Sequence, residues 1–340
     1  MQFKDKVKRE NPFKKNLTVY IAFVVIFVFF SVYLGDTFLS MQNILNITRQ
    51  TAMISIMAIG MTFVIGSGMI DLSIGSTTAL TAMVTALVLR ATDNIALGLL
   101  AGLSVGAAVG GVNGLLIAKV KIPAFLTTLG MMLVVRGLAM RTTNNQSVPI
   151  LNDDFTFIFG VGDIGGIPVL FFWTVLFAII GYFLLNRFSF GRHVLATGGN
   201  EAATKFSGIN TDWIKIKVMI LSGVLAAFAG ILYAGRLQAG RHTFGEGDEL
   251  SVIAAVILGG TSIAGGNGSI MGAIIGSMLM GVINNGLILA NLPVADRTIV
   301  SGAIIIIATA ATLLRERIKS ALEKKRQNKK AKDAEVSETE

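Results

Sequence analysis

The sequence predicts an all-α, polytopic membrane protein with about ten transmembrane helices. It is 53% hydrophobic and only 14% charged, with a mean hydropathy of +0.70, whereas a soluble domain carries about 25% charged residues. Its apolar residues fall into runs long enough to cross a bilayer. Glycine is abundant at 38 residues and proline scarce at 5, which suits helices that pack backbone to backbone in lipid.

Ten apolar runs supply the candidate helices. They are Leu17–Leu34, Thr51–Ile65, Ile74–Leu89, Ile95–Ala118, Ala124–Ala139, Ile167–Leu185, Val218–Ala234, Leu250–Gly259, Ile270–Ala290 and Ile299–Leu314. The eighth run is short and bounded by glycine, so we expect a half-helix or part of a broken span, followed by a re-entrant turn over 259–268. The chain thus divides into a basic N-terminal segment (1–16), a single transmembrane domain (17–314) and a basic, partly disordered tail (315–340).

The net charge of +9 comes largely from the two ends of the chain. Basic residues flanking transmembrane helices are retained in the cytoplasm, so both termini are expected there, with an even number of crossings. The loop 187–217 is also basic and falls on the cytoplasmic side, whereas the loop 141–166 carries three aspartates and falls outside. This placement favours membrane topology over nucleic-acid binding as the cause of the basic charge.

Several chemistries lack the residues that they need. The chain has no cysteine, and its two histidines, His193 and His242, lie outside the apolar runs, so neither a metal site nor an intramembrane catalytic pair is expected. It has no Gly-x4-Gly-Lys-Ser/Thr loop for ATP hydrolysis. The glycines Gly160, Gly162 and Gly165 match a dinucleotide-binding spacing, but without a preceding strand they indicate turn geometry.

An internal repeat is the most informative architectural feature. Asp71-Leu-Ser-Ile resembles Glu249-Leu-Ser-Val, and Gly111-Val-Asn-Gly-Leu-Leu-Ile-Ala with Pro123 resembles Gly281-Val-Ile-Asn-Asn-Gly-Leu-Ile-Leu-Ala with Pro293. A shift of about five spans reverses orientation, so two inverted repeats are predicted, with Asp71 on the inner side and Glu249 on the outer side. Inverted repeats recur in transporters, where the solute binds near their interface.

Polar residues within this apolar domain are candidates for a solute pathway or gate. Asp71 and Glu249 stand at span ends, where helix capping and pairing with the helix dipole are favoured over a role in binding. Span interiors are expected to be almost free of ionisable groups. Amides within spans either contact sugar-like hydroxyls or join helices. The candidate pathway or gating residues are Asp71, Ser73, Asn113, Glu249, Asn284 and Asn285. Arg136 is expected to snorkel towards the outer surface.

A short helix is predicted in the cytoplasmic loop, within Gly198-Gly-Asn-Glu-Ala-Ala-Thr-Lys-Phe-Ser-Gly-Ile-Asn210. Thr197 or Asn200 can cap a helix that starts near Glu201, where a negative charge is favoured. Gly208 can end it after about two turns.

This loop resembles the cytoplasmic coupling segment of ABC importer permeases, and more specifically of the branched-chain amino acid/ribose permease family. Three further segments are similar to the same family: residues 58–76, residues 249–266, and Asn284-Asn-Gly-Leu287. The resemblance implies a non-catalytic permease with a coupling site at Gly198, Gly199, Asn200, Glu201, Ala202, Ala203 and Gly208 in the loop 187–217. No cofactor is implied for this chain; ATP and Mg²⁺ would be bound by a partner.

The resemblance also implies the partners and the place of action. These are an ABC ATP-binding subunit, an extracytoplasmic sugar-binding protein, and a second permease subunit, with a homodimer expected and a heterodimer left open. The site of action is the bacterial inner (plasma) membrane. The expected substrate is a monosaccharide, ribose first, with xylose and galactose as alternatives. The competing hypothesis is an ion-coupled secondary transporter of a small neutral solute, which would place ionisable groups inside the membrane.

Overall fold

A computed structural model describes residues 17–304, 306, 307 and 310. The predicted segments 1–16 and 315–340 lie outside the described residues, as do residues 305, 308, 309 and 311–314 of the tenth apolar run, Ile299–Leu314. The part of that run that is described belongs to a helical stretch over 294–304.

The described chain is built from helices, with four strands of two residues each. The first half contains α1 (Leu17–Leu34), α2 (Asp36–Leu39), α3 (Met41–Gly66), α4 (Ile74–Thr92), α5 (Ile95–Leu115, continued by a π-helical turn Leu116–Val120), α6 (Ala124–Thr142), β1 (Val148–Pro149), α7 (Asp153–Thr156, followed by a π-helical turn Phe157–Val161), β2 (Asp163–Ile164) and β3 (Ile167–Pro168). The second half contains α8 (Val169–Asn186), α9 (Ser189–Gly199), α10 (Glu201–Phe206), α11 (Thr211–Arg236), β4 (Ala239–Gly240), α12 (Asp248–Leu258) and α13 (Ile270–Leu289). The strands form two antiparallel pairs, β1 with β4 and β2 with β3.

The predicted fold class, an all-α polytopic membrane protein, is confirmed. Within the described residues, seven helices are long and apolar enough to cross a membrane, and Val19–Leu34 is a shorter apolar helix. The eighth predicted run forms α12, which has only 11 residues and spans about half of the roughly 30 Å hydrocarbon core at 1.5 Å per residue. The expectation of a half-helix at this position is therefore confirmed.

Local sequence explains where the long helices begin. The side chains of Ser40, Asn94, Asn210 and Ser269 each accept a hydrogen bond from the N–H three residues further on, at the starts of α3, α5, α11 and α13. Such a cap satisfies one of the N–H groups that the first helical turn leaves unpaired.

Helix α11 lies at the centre and packs against α5, α4 and α3. The backbones of α5 and α11 are in contact at Gly106 and Gly223, since a Cβ atom on either residue would overlap the carbonyl oxygen of the other. Only glycine permits helices to approach so closely.

The two predicted repeats run in opposite directions. We call the end of the bundle formed by α9, α10 and Thr211 the α10 face. Helix α5 runs towards this face, because Gly106 packs on Gly223 and Gly114 on Ile216, nearer the start of α11. Helix α13 starts at the α10 face and runs away from it. Helices α4 and α12 are likewise opposed, because α4 runs parallel to α11 while α12 runs antiparallel to α13. These directions agree with the predicted inverted repeats.

The predicted depths of Asp71 and Glu249 are wrong. Asp71 hydrogen-bonds to Ser222, close to the midpoint of α11, and the Glu249 carboxylate touches Gly75, one turn further along. Both acidic groups therefore lie near the middle of the bundle rather than at its two faces. The reason is that non-helical segments, residues 67–73 and 241–247, enter the bundle before α4 and α12 begin.

Candidate functional site

The predicted loop helix is present as α10, which has six residues and starts at Glu201. Of the two candidate caps, Asn200 is the one used: its Oδ1 accepts from the Ala203 N–H at 2.9 Å. Gly208 follows the helix with a φ of +83°, a left-handed conformation that side-chain-bearing residues rarely adopt. The short helix is thus defined at both ends by its own residues.

Glu201 joins α10 to the start of α11. Its carboxylate accepts from Lys215 Nζ at 2.7 Å, Lys205 Nζ at 2.8 Å and Thr211 Oγ1 at 3.1 Å. Partial burial raises the pKa of Glu201, but the hydrogen bonds and charges of these partners outweigh it and lower the pKa to about 2. Glu201 is therefore ionised throughout the physiological pH range.

This lowered pKa predicts how the Glu201 contacts depend on pH. Because the folded pKa of about 2 lies below the ordinary value of 4.5, the carboxylate stabilises the fold above pH 4.5, and this contribution is lost as the pH falls towards 2. We expect the difference in Tm between the wild type and Glu201→Gln to stay constant from pH 8 to pH 5 and to shrink below about pH 4. Thermal unfolding of the detergent-solubilised protein measures this; a difference that disappears between pH 7 and pH 5 would contradict the contacts.

The outer side of α10 is apolar and exposed. Ala202 and Ala203 are exposed, and Phe206 is 93% exposed. A nearly naked phenylalanine ring beside two alanines forms a small apolar surface that another protein can cover.

The end of α9 is inserted between two loops. The Gly266 N–H donates to the Gly66 carbonyl at 3.0 Å, and Gly198 packs on both residues so closely that a Cβ atom there would overlap the Gly66 oxygen. We call Gly66, Gly198, Gly265 and Gly266 the glycine junction. It connects the end of α9 directly with the end of α3 and with the predicted re-entrant turn before α13.

Asp71, Ser73 and Asn113 come together in one buried network. Asp71 is 1% exposed; one carboxylate oxygen accepts from Ser73 N and Oγ, and the other accepts from Ser222 Oγ at 2.8 Å. Asn113 Nδ2 donates to Ser73 Oγ at 2.9 Å, while its Oδ1 has no partner among the described residues. This network holds the segment 67–73 against α5 and α11.

Glu249 lies across from this network, where α12 begins. One of its oxygens, Oε2, is buried without a hydrogen-bond partner in the described structure. The neighbouring Asp248 accepts from Tyr233 Oη at 2.7 Å. The first turns of α4 and α12 therefore meet at mid-bundle through Gly75, Gly245 and Glu249.

Arg136 is a residue whose role sequence reasoning missed. It does not snorkel outwards: its guanidinium donates to the carbonyl oxygens of His242 and Phe244 and so fixes the turn segment 241–247 before α12. The expectation that span interiors are almost free of ionisable groups is also wrong, because Arg136, Asp71 and Glu249 all reach the middle of the bundle. No sequence signal marks the segment 241–247 as Arg136's partner.

Asn284 and Asn285 lie apart from the other candidates, on α13. Asn285 is buried and donates to Asn43 Oδ1 on α3 at 3.0 Å, whereas Asn284 is exposed. The contacts therefore support a role for Asn285 in joining helices α3 and α13.

Replacing Asn285 by alanine is expected to weaken the protein without impairing transport. An interhelical hydrogen bond in a membrane protein contributes about 0.6 kcal/mol on average, so Asn285→Ala should lower stability modestly, and a double-mutant cycle with Asn43→Ala should recover a coupling energy of that size. Asn284→Ala is the matched control, with no stability change expected. If Asn285→Ala abolished uptake with unchanged stability, the residue would belong to the pathway instead.

Of the glycines Gly160, Gly162 and Gly165, for which turn geometry was predicted, Gly165 lies in a turn, whereas Gly160 makes a close backbone contact. Gly160 packs against Gly235 of α11, and Gly165, with a φ of +60°, lies in the turn between β2 and β3.

Comparison with known proteins identifies the family. Residues 43–309 match the profile described as "Branched-chain amino acid transport system / permease component". The chain is 42% identical to the ribose import permease protein RbsC of Escherichia coli (strain K12) over 81% of this chain and 87% of that protein. It is 41% identical to the protein of the same name from Bacillus subtilis (strain 168) over 85% and 88%, respectively. It is 36% identical to the L-arabinose transport system permease protein AraH of Escherichia coli (strain K12) over 85% and 87%.

No solved structure matches the chain. The family match covers most of the sequence, and the described helices within it include all seven that can cross a membrane. The chain therefore belongs to the branched-chain amino acid transport system permease family and is a multi-pass membrane transport protein.

Proposed function

We propose that the chain is the transmembrane subunit of an ATP-driven ABC importer that translocates a monosaccharide, ribose first and L-arabinose next. The observation that carries this proposal is the 42% identity to a ribose import permease over 81% of the chain. The relative named for L-arabinose, at 36% identity, supports a pentose. The place of action is the bacterial plasma membrane, with both termini in the cytoplasm.

ATP and Mg²⁺ are bound by a separate ATP-binding subunit that docks on α10. The exposed ring of Phe206, with Ala202 and Ala203, supplies an apolar contact surface for that partner. The ion pairs of Glu201 with Lys205 and Lys215 support a rigid connection from α10 to the central helix α11.

Movement of α10 reaches the pathway through the glycine junction. Gly198 touches the end of α3, which leads directly into Asp71 and Ser73, and Gly199 lies beside Gly266, which leads into α13. Asp71, Ser73 and Asn113 are fully buried, so their proposed role is to hold the gate closed or open rather than to contact sugar. An extracytoplasmic binding protein delivers the sugar, and a second permease subunit completes the pathway.

Uptake in cells tests this function. The chain is expressed with its ATP-binding subunit and binding protein in a strain that lacks its own ribose and arabinose permeases, and labelled ribose and L-arabinose are supplied separately. We expect accumulation of ribose that requires all three proteins. Accumulation of neither pentose by a correctly inserted, assembled complex would overturn the proposed substrate.

One observation favours the alternative, an ion-coupled secondary transporter. Asp71 is a fully buried carboxylate whose described partners are hydroxyl and amide groups, and an ionisable residue inside a membrane domain is a candidate proton site. This alternative predicts uptake that persists without the ATP-binding subunit and is abolished by a protonophore. The importer proposal instead predicts no uptake in the absence of the ATP-binding subunit.

A further inference from the structure

The turn segment 241–247, before α12, carries polar side chains on the outside of the described bundle at its middle. Thr243, Glu246 and Gly247 are exposed, and Asp248 and Glu249 are half-buried. The Glu246 carboxylate makes no hydrogen bond or ion pair among the contacts resolved in residues 17–304. An exposed carboxylate in a membrane protein needs an explanation wherever it lies at membrane depth.

The depth of this segment follows from its contacts. Gly245 packs directly on Gly75 at the start of α4. One turn further along α4, Thr78 Oγ1 donates to the Ala226 carbonyl at 3.0 Å, and Ala226 lies near the midpoint of α11. Because α11 is long enough to cross the membrane, the segment 243–247 lies close to mid-membrane.

Contact with lipid would be energetically unfavourable for this surface. Besides the Glu246 carboxylate, the first turn of α12 leaves backbone N–H groups without helical partners, and unsatisfied polar groups in hydrocarbon are strongly disfavoured. Non-helical backbone at membrane depth is tolerated where protein buries it or where it lines a water-filled cavity. Most of the segment 67–73 is buried by protein, whereas 241–247 is open on one side.

We infer that Thr243, Glu246 and Glu249 line the water-filled solute pathway at mid-membrane. Arg136 acts as a positioning residue, because its guanidinium holds the carbonyl groups of His242 and Phe244 and thereby turns the next residues outwards. Carboxylate oxygens accept hydrogen bonds only, which suits a solute rich in hydroxyl donors. The identity of the solute rests on the proposed function, whereas the accessibility of this surface to water does not.

The absence of cysteine from the chain permits a direct test. Glu246→Cys and Thr243→Cys each introduce a single thiol. Two variants are used so that the test remains possible if one of the two proteins fails to insert into the membrane. Leu176→Cys is the matched control, since Leu176 lies near the midpoint of the apolar helix α8 and is 44% exposed. The assembled importer in membrane vesicles of both orientations is treated with a charged, membrane-impermeant methanethiosulfonate, with and without ATP.

Thiols react as thiolates in water, so we expect the thiol of Glu246→Cys or of Thr243→Cys to be modified about tenfold or more faster than the α8 control in at least one condition. Unreactive thiols in both variants under every condition would overturn the inference and would place the segment against lipid, a second subunit or residues beyond 304. Labelled-ribose uptake is measured separately, on membranes that carry the wild-type chain. If the introduced thiols react but the wild type transports no ribose, the proposed substrate is overturned, whereas the assignment of this surface to a water-filled pathway stands.

Discussion

Replacing Glu201 by glutamine is expected to uncouple transport from ATP hydrolysis while leaving membrane insertion intact. The substitution removes the charge that holds Lys215, whose side chain is only 15% exposed, and hydrogen bonds to charged groups contribute about 1.5–3 kcal/mol each. A loss of about 1.4 kcal/mol in the joint between α10 and α11 corresponds to a tenfold change in its equilibrium. We therefore expect ATP-driven uptake to fall about tenfold or more, with the protein level in the membrane unchanged.

Lys205→Ala provides the matched control for Glu201→Gln. Lys205 also contacts Glu201, but its side chain is 49% exposed and the pair is an i,i+4 contact within one short helix, so solvent screens it and it contributes little to stability. Uptake by Lys205→Ala should stay close to the wild type. Equal losses in the two variants, or full uptake by Glu201→Gln, would contradict the role given to the Glu201–Lys215 contact.

Replacing Gly198, near the end of α9, by alanine is expected to have a large effect on both stability and transport. The new Cβ atom would overlap the Gly66 carbonyl oxygen and lie 2.8 Å from the Gly266 nitrogen. These are backbone atoms that cannot rotate away, so we expect a stability loss of about 1–3 kcal/mol from overpacking. Because both loops of the glycine junction must shift, uptake should be largely lost.

Gly199→Ala tests whether this effect belongs to packing or merely to the loss of a glycine. A Cβ atom at Gly199 would lie 3.5 Å from its nearest neighbour, Gly266 Cα, which is an ordinary contact. We expect this variant to fold and transport like the wild type, as measured by thermal unfolding and labelled-sugar uptake. If the two alanine variants behaved alike, the tight contact at Gly198 would not be the reason for its effect.

Much of the fold could be predicted because the responsible forces are local. A run of apolar residues long enough to cross a bilayer forms a helix for reasons contained in that run, as in α5 and α8. Asn200 and Gly208 define α10 through bonds to their own neighbours. The short run before Gly259 was correctly predicted as a half-helix because its length alone excludes a full crossing.

The errors concern long-range contacts that no local pattern records. Asp71 and Glu249 were placed at opposite faces because counting spans takes no account of non-helical backbone that enters the bundle. Arg136 was expected to reach the surface, since its carbonyl partners are more than 100 residues away in sequence. The six candidate pathway residues form one sequence class, polar groups in apolar surroundings. The structure separates them into a buried network, a half-buried carboxylate, an amide that joins two helices and an exposed amide.

Reconstitution in liposomes tests the central claim most directly. The purified permease is inserted with its ATP-binding subunit, supplied with the binding protein and labelled ribose outside, and loaded with ATP and Mg²⁺ inside; parallel vesicles omit the ATP-binding subunit. We expect ribose accumulation only in the complete vesicles, and none when ATP is replaced by a non-hydrolysable analogue. Accumulation that continues without the ATP-binding subunit would contradict an ATP-driven importer coupled through α10.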